Sequence, residues 1–236
     1  MPELTQDFWL AQLDEASGFN AWVMAQVAPF LGDRVLEIGC GLGSFTVMMV
    51  NRGHHVTAVD INGNYVAATR QRLADQPHIA VLQGDATTME WRPEFDTILM
   101  LDVLEHIDDD IGFIRRLRGA LRPGGSLVLK VPAGPWLYSS LDQELGHHRR
   151  YTRRSLARTY RAGGYALSLC RPFNTVGILG WFVNGCLLGR KTPPAMQLRA
   201  FETLLPVVKL IDRLNPLPIG VSLIAAGTEL PTAAAE

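Results

Sequence analysis

Apolar positions recur along the chain in two rhythms, and the change between them marks out the elements. Within 1–30, Phe8, Trp9, Leu10 and Leu13, then Trp22, Val23 and Val27, fall at helical spacing and predict one or two amphipathic helices. From Arg34 short β-branched runs alternate with amphipathic stretches. Strands are predicted over 34–38, 56–59, 79–82, 95–101 and 126–131, with helices over 44–51, 65–73 and 108–121 between them. Gly53 closes the first of these helices, and Arg122-Pro123-Gly124-Gly125 reads as a stop and turn. Strands separated by helices demand right-handed crossovers, hence a parallel sheet.

After Val131 the rhythm loosens. Residues 132–150 read as a long loop, 152–162 as a helix stopped by Gly163-Gly164, 165–169 as a sixth strand and 221–226 as the last. Roughly fifty apolar, proline-punctuated residues separate the last two strands, far more than an ordinary connection. The expectation is one domain over 1–236: N-terminal helices over 1–30, a ligand-binding core over 31–172, a helical cap inserted over 173–218 and a final strand within 219–229.

Charge narrows the function classes. Lys and Arg total 22 against 23 Asp and Glu, so no basic field of the kind that grips nucleic acid is present. Cys40, Cys170 and Cys186 are odd in number and unpaired in spacing, which points to a reducing compartment. Met1-Pro2-Glu3-Leu4 has neither the basic start nor the apolar run of a signal peptide, and a cytoplasmic location is expected. The apolar stretch at 173–188 is broken by Asn174 and Asn184, and is shorter than the roughly 20 residues of a membrane span.

Candidate chemistry begins where the first strand meets the first core helix, at Glu37-Ile38-Gly39-Cys40-Gly41-Leu42-Gly43. Glycines there allow a tight turn and a close approach to the backbone, and the helix N-terminus offers free N–H groups. The same triplet also fits a bare strand-to-helix turn. Asp60 ends the second strand about twenty residues on, where a carboxylate can accept from both ribose hydroxyls. Asp85 follows the third strand beside the same crevice, in place to accept from an adenine amino group. Either acid alone is explained by a cap or a turn; at successive strand ends they favour a nucleoside ligand.

The ordered set 35–44, Asp60, Gly84-Asp85, Phe95-Asp96, Asp102-Val103-Leu104-Glu105-His106 and Leu121-Arg122-Pro123-Gly124-Gly125 resembles the motifs of the Rossmann-like (class I) S-adenosylmethionine-dependent methyltransferases, over about 34–131. The resemblance implies a doubly wound α/β fold with seven strands, mostly parallel with an antiparallel last strand, and S-adenosylmethionine as cofactor. It implies a cofactor site of Glu37, Gly39, Cys40, Gly41, Gly43, Asp60, Ile61, Asp85, Ala86, Leu101, Asp102 and His106. In that family the glycine loop meets the methionine moiety, Glu37 matches the acid that orients its ammonium, and the acids like Asp60 and Asp85 meet ribose and adenine. A nicotinamide-dependent oxidoreductase fits less well, because Ser44 stands where its fingerprint needs glycine or alanine and no Tyr-x-x-x-Lys follows. A domain that binds the cofactor without transferring its methyl group is the other reading.

The acceptor side is less specific, since in-line methyl transfer needs alignment and water exclusion more than catalytic groups. Asp102 to Asp110 looks at first like a metal site; capping of the next helix by Asp108, with Asp109 and Asp110 at its positive end, accounts for the acids, and no metal is expected. The loop 136–151 concentrates His147 and His148, either of which suits a general base, with Trp136, Tyr138, Arg149, Arg150 and Tyr151 as candidate acceptor contacts. A salt-bridged structural loop explains the same residues. Its Gly-His-x-Arg-Arg-Tyr run resembles a bacterial subgroup of these methyltransferases acting on small molecules. The insertion, with Trp181 among its aromatic residues, is expected to cap an apolar acceptor pocket; its helical apolar spacing serves equally as core, as a homodimer face or as a surface lying against a membrane.

Overall fold

A computed structural model describes residues 2–192, 194–215 and 217–230. Two helices, α1 (Pro2–Glu15) and α2 (Ser17–Val27), lead into β1 (Arg34–Ile38), and the chain then alternates through α3 (Ser44–Val50), β2 (His55–Asp60), α4 (Gly63–Arg72), β3 (Ile79–Gln83) and β4 (Phe95–Leu101). It continues through α5 (Asp110–Leu117), β5 (Leu121–Pro132), α6 (Ser140–Leu145), α7 (Arg153–Ala162), β6 (Tyr165–Phe173) and β7 (Ser222–Glu229). The seven strands form one sheet in the order β3-β2-β1-β4-β5-β7-β6. Pairing is parallel from β3 through β5, and β7 runs antiparallel to both neighbours.

Alternation along the central strands builds a core on each face of the sheet. Leu36, Ile98 and Leu127 pack with Phe113, Ile114, Leu156 and Tyr160 on one side, under α5 and α7. Val35, Leu99 and Val128 pack with Trp22, Met24, Met49 and Phe173 on the other, under α2 and α3. The chain reverses direction in sheet order beside β1 and β4, and their carboxyl ends open a crevice there.

Four local expectations are corrected. Residues 122–125 do not end the ladder: β5 starts at Leu121, opposite Phe95, and the turn-forming residues are absorbed as a register shift before Ser126 pairs with Thr97. The helix expected over 108–121 is α5 alone, followed by a 3₁₀ turn over Arg118–Ala120, and its cap is Asp109, which accepts from the Gly112 amide at 2.9 Å. The loop expected over 132–150 contains α6, nucleated by a capping box in which Ser139 and Asp142 satisfy each other's backbone amides. β6 and β7 also run longer than predicted, since they pair with each other from Tyr165 opposite Glu229 to Phe173 opposite Ser222. Between them lie α8 (Gly177–Trp181), running into a π-helical turn over Phe182–Leu187, then α9 (Ala195–Thr203) and α10 (Leu205–Leu214).

Candidate functional site

A cavity of about 1400 Å³ opens over the carboxyl ends of β1, β2 and β4. It exceeds the roughly 300–1,000 Å³ of a usual small-molecule site, enough for two ligands side by side. Its floor is the glycine loop and the strand ends. Its walls are α1 and α2 on one side, the segment 106–116 and the loop before α7 on another, and the inserted helices above.

The glycine loop is shaped by backbone geometry that side chains resist. Gly39 and Gly41 have φ of +78° and +53°, and a Cβ on Gly39 would lie 2.4 Å from the Val103 side chain. Asp60 braces the loop, accepting from the Gly41 amide through Oδ2 and from the Asn62 amide through Oδ1, both at 2.9 Å. Glu37, at the end of β1, is buried and accepts from the Thr46 hydroxyl. Burial is the main force raising its pKa to about 8, and Asp60 beside it adds to the rise. Burial likewise pushes the Cys40 thiol far up, so it is inert as a nucleophile. Asp85 accepts from the amide and hydroxyl of Thr87, and the hydroxyl is the larger cause of its lowered pKa.

At the other end of the cavity a second group converges. Asp102 ends β4 with φ +55°, an uncommon conformation for a non-glycine residue, held by its amide donating to the Lys130 carbonyl and by an ion pair with the Lys130 ammonium. His106 and His147 meet edge to face with ring centroids 4.8 Å apart. His147 Nδ1 lies 2.9 Å from Asp142 Oδ1, and Nε2 lies 3.9 Å from Glu105 Oε1. Asp142 also accepts from Arg150 Nε at 2.7 Å and from the Ser139 amide at 2.9 Å. Burial works to raise the Asp142 pKa, but the hydrogen bond from His147 and the charge of Arg150 hold it below the usual carboxylate range. An ionised Asp142 facing Nδ1 favours the tautomer that donates Nδ1–H to it, which leaves Nε2 on the Glu105 side. Burial pushes the Glu105 carboxyl well up, with Asp102 adding to it, and burial together with His147 pushes His106 down to about 4.

The residues expected at the cofactor site line the cavity, with Gly43 the exception. Gly43 caps α3 with φ +82° and faces Thr69 instead. Of the two histidines, His147 is buried and lines the cavity, whereas His148 is exposed, its amide tied to the Glu105 carbonyl. Arg150 and Trp181 line it together, the guanidinium 4.4 Å above the indole. Trp136, Tyr138, Arg149 and Tyr151 are not among its lining residues. Trp136 is exposed, Tyr138 donates to the His147 carbonyl, Arg149 pairs with Asp108 and Asp110, and Tyr151 donates to Asp110. Sequence reasoning missed the part played by α1: Leu10 lies over Gly41, and Trp9 stacks on Trp181 at 6.0 Å. The sequence names Glu105 only within the 102–106 motif and reads Asp142 or Glu144 as pairing with an arginine, and Asp142 does pair with Arg150; its hold on His147 was not foreseen, although the Ser139-x-x-Asp142 spacing is a legible capping signal.

Residues 36–129 match a family model described as a methyltransferase domain. A ubiquinone biosynthesis O-methyltransferase of Xanthomonas campestris is 33% identical over 113 residues, 47% of each chain. The chain spans about half the length of the curated relatives it matches. Among solved structures, phosphoethanolamine N-methyltransferase 2 of Haemonchus contortus, in complex with S-adenosyl-L-methionine, superposes with a TM-score of 0.63 at 17% identity, covering 90% of this chain and 52% of that one. A 1,6-didemethyltoxoflavin-N1-methyltransferase of Burkholderia thailandensis, with S-adenosylhomocysteine bound, gives 0.59 at 19% identity over 96% and 82%.

Proposed function

We propose that the chain, whose residues 36–129 match a methyltransferase domain, is an S-adenosylmethionine-dependent methyltransferase of the class I type and methylates a hydroxyl of a small, lipophilic acceptor. The observation that carries this reading is a single cavity with a buried, uncompensated acid, Glu37, at one end and the His147–Asp142 pair at the other.

The residues present fit the cofactor. Glu37 is buried beside another acid, so a ligand ammonium is the charge its surroundings lack. The Gly39–Gly41 backbone has no Cβ to fend off the methionine moiety, Asp60 retains carboxylate lone pairs for ribose, and Asp85 stands ready for an amino donor. When bound, S-adenosylmethionine supplies a methyl group on a sulfonium, open to in-line attack.

This chain's own residues then hold the acceptor and take its proton. His147, oriented by Asp142, presents Nε2 as the proton acceptor at the acceptor's hydroxyl, and the O–H proton passes to it as the new O–CH₃ bond forms and the S–CH₃ bond breaks, its electron pair staying on sulfur. Trp9, Trp181 and Phe201 close an apolar roof that excludes water from the reacting centre. The apolar lining, and the O-methyltransferase named among the relatives, support a lipophilic hydroxyl acceptor over a charged one.

The test is calorimetric titration with S-adenosylhomocysteine, and separately with NADH, on the wild type and on Asp60→Ala. Saturable binding of the first alone, at least about tenfold weaker in the variant, is the expected result and leads to a screen of lipophilic hydroxylated acceptors. Binding of the nicotinamide nucleotide, or of neither, overturns the reading.

A further inference from the structure

Glu105, His106 and His147 present one ligand atom each within 4.8 Å of one another. The sequence pattern argued against a metal in this segment because the acids there are explained by capping, and that explanation holds for Asp109. It does not reach Glu105. The side chain of Glu105 is fully buried, and neither carboxylate oxygen has a hydrogen-bond partner among the described residues. A buried carboxyl with no hydrogen-bond partner is costly to ionise unless a cation faces it. Lys130 pairs with Asp102, and Arg150 bonds Asp142 and the Ala133 carbonyl with its Nη2 left without a partner; both act on Glu105 through their charge, and neither hydrogen-bonds it.

The neighbouring imidazoles are arranged as ligands. His147 donates Nδ1–H to Asp142 and turns Nε2 toward Glu105 Oε1, the carboxylate–histidine orientation that fixes a tautomer for metal binding. His106 stands edge to face against it on the same side. We infer that Glu105, His106 and His147 form a binding site for a divalent transition-metal ion, with Asp142 orienting His147. Two imidazoles and a carboxylate suit Zn²⁺, Fe²⁺, Mn²⁺ or Co²⁺, and three protein ligands leave a coordination position open to the cavity. Tetrahedral ligands about 2.1 Å from a zinc ion lie roughly 3.4 Å apart, so the three side chains close by on the order of 1 Å on binding. Glu105 and His106 are consecutive residues of one short 3₁₀ turn, and His147 precedes α7 across the cavity. The site therefore ties two segments together at the acceptor end.

The inference deepens the methyltransferase reading by changing the role of His147. A cation held there would polarise the acceptor's hydroxyl and lower its pKa. The O–H bond breaks with the proton leaving to water. The oxygen then forms its bond to the methyl carbon as the S–CH₃ bond breaks, and His147 serves as ligand rather than base.

The full chain, treated with chelator and dialysed, is titrated with Co²⁺ while the visible ligand-field absorption is recorded. In parallel the same sample is titrated with S-adenosylhomocysteine by calorimetry. Expected is a saturable absorption at one equivalent per chain, displaced by Zn²⁺. It is lost in His106→Ala and in His147→Ala, each checked for folding by near-ultraviolet circular dichroism, and kept in His148→Ala. No saturable absorption in the wild type, or absorption that survives both His106→Ala and His147→Ala, overturns the site. S-adenosylhomocysteine binding without Co²⁺ binding removes the metal and leaves the methyltransferase reading standing; Co²⁺ binding without S-adenosylhomocysteine binding does the reverse.

Discussion

Glu37 is mostly neutral at neutral pH while no cation faces it, since burial carries its pKa to about 8. The folded protein binds more protons than the unfolded chain between pH 4.5 and about 8, so the contribution of Glu37 to stability is complete below 4.5 and lost as pH rises through 8. An ammonium ligand requires the ionised acid. S-adenosylhomocysteine affinity should therefore climb with pH, by up to about tenfold per unit below 8, and Glu37→Gln should flatten that slope; calorimetry in buffers of different ionisation enthalpy also counts the proton released. The two histidines separate at this scale. His147→Ala should lower kcat by about 10²–10⁴-fold with little change in S-adenosylhomocysteine affinity, while His148→Ala should leave both near wild type in a steady-state assay. Sequence spacing brought both histidines to the same loop. Which of them turns inward depends on the Asp142 hydrogen bond, a contact between a helix and the loop after it that no spacing rule states.

At the scale of elements, α1 is the part whose role the pattern hid. Apolar spacing around Phe8 to Leu13 predicts a helix, and the helix is there; that it lies across the glycine loop is decided by polar contacts with α3 and α4. Asp14 accepts from Ser44 and pairs with Arg72 at 2.6 Å, and Asp7 accepts from Tyr65. These ties, with Leu10 over Gly41, cover the cofactor end of the cavity, and such exposed pairs are individually worth only about 0.2–1 kcal/mol. Opening of this cover would let the cofactor exchange. Removing residues 1–15 should speed S-adenosylhomocysteine dissociation at least about tenfold in a stopped-flow displacement measurement, while the melting temperature of the ligand-free protein moves by only a few degrees. Unchanged dissociation would mean that α1 does not govern access. α6 shows the opposite kind of miss: its capping box was legible, and a loop was predicted because the apolar rhythm loosens after Val131.

Across the whole molecule, α10 carries two apolar faces. Leu205 and Val208 are buried against the sheet, whereas Val207, Leu210 and Leu214 are each more than half exposed, with Lys209 and Arg213 beside them. No helix among the described residues is long and apolar enough to cross a membrane. An apolar stripe flanked by cations suits shallow contact with an anionic lipid surface, where a lipophilic acceptor partitions. Sedimentation with vesicles containing phosphatidylserine should recover the protein, and Leu210→Glu with Leu214→Glu should weaken that recovery about tenfold or more without altering S-adenosylhomocysteine affinity. A dimer dissolved by the same substitutions, with no vesicle binding, would identify the face as a subunit interface. The alternation of strands and helices, the glycine loop and the acids at the strand ends were all determined by the sequence alone, because each depends on residues close together along the chain and on side-chain periods that the backbone imposes. The acceptor end was decided only by tertiary structure. Glu105 and His106 on one turn, His147 and Asp142 some forty residues later, and Trp181 in the insertion become neighbours only when the sheet brings its carboxyl ends together.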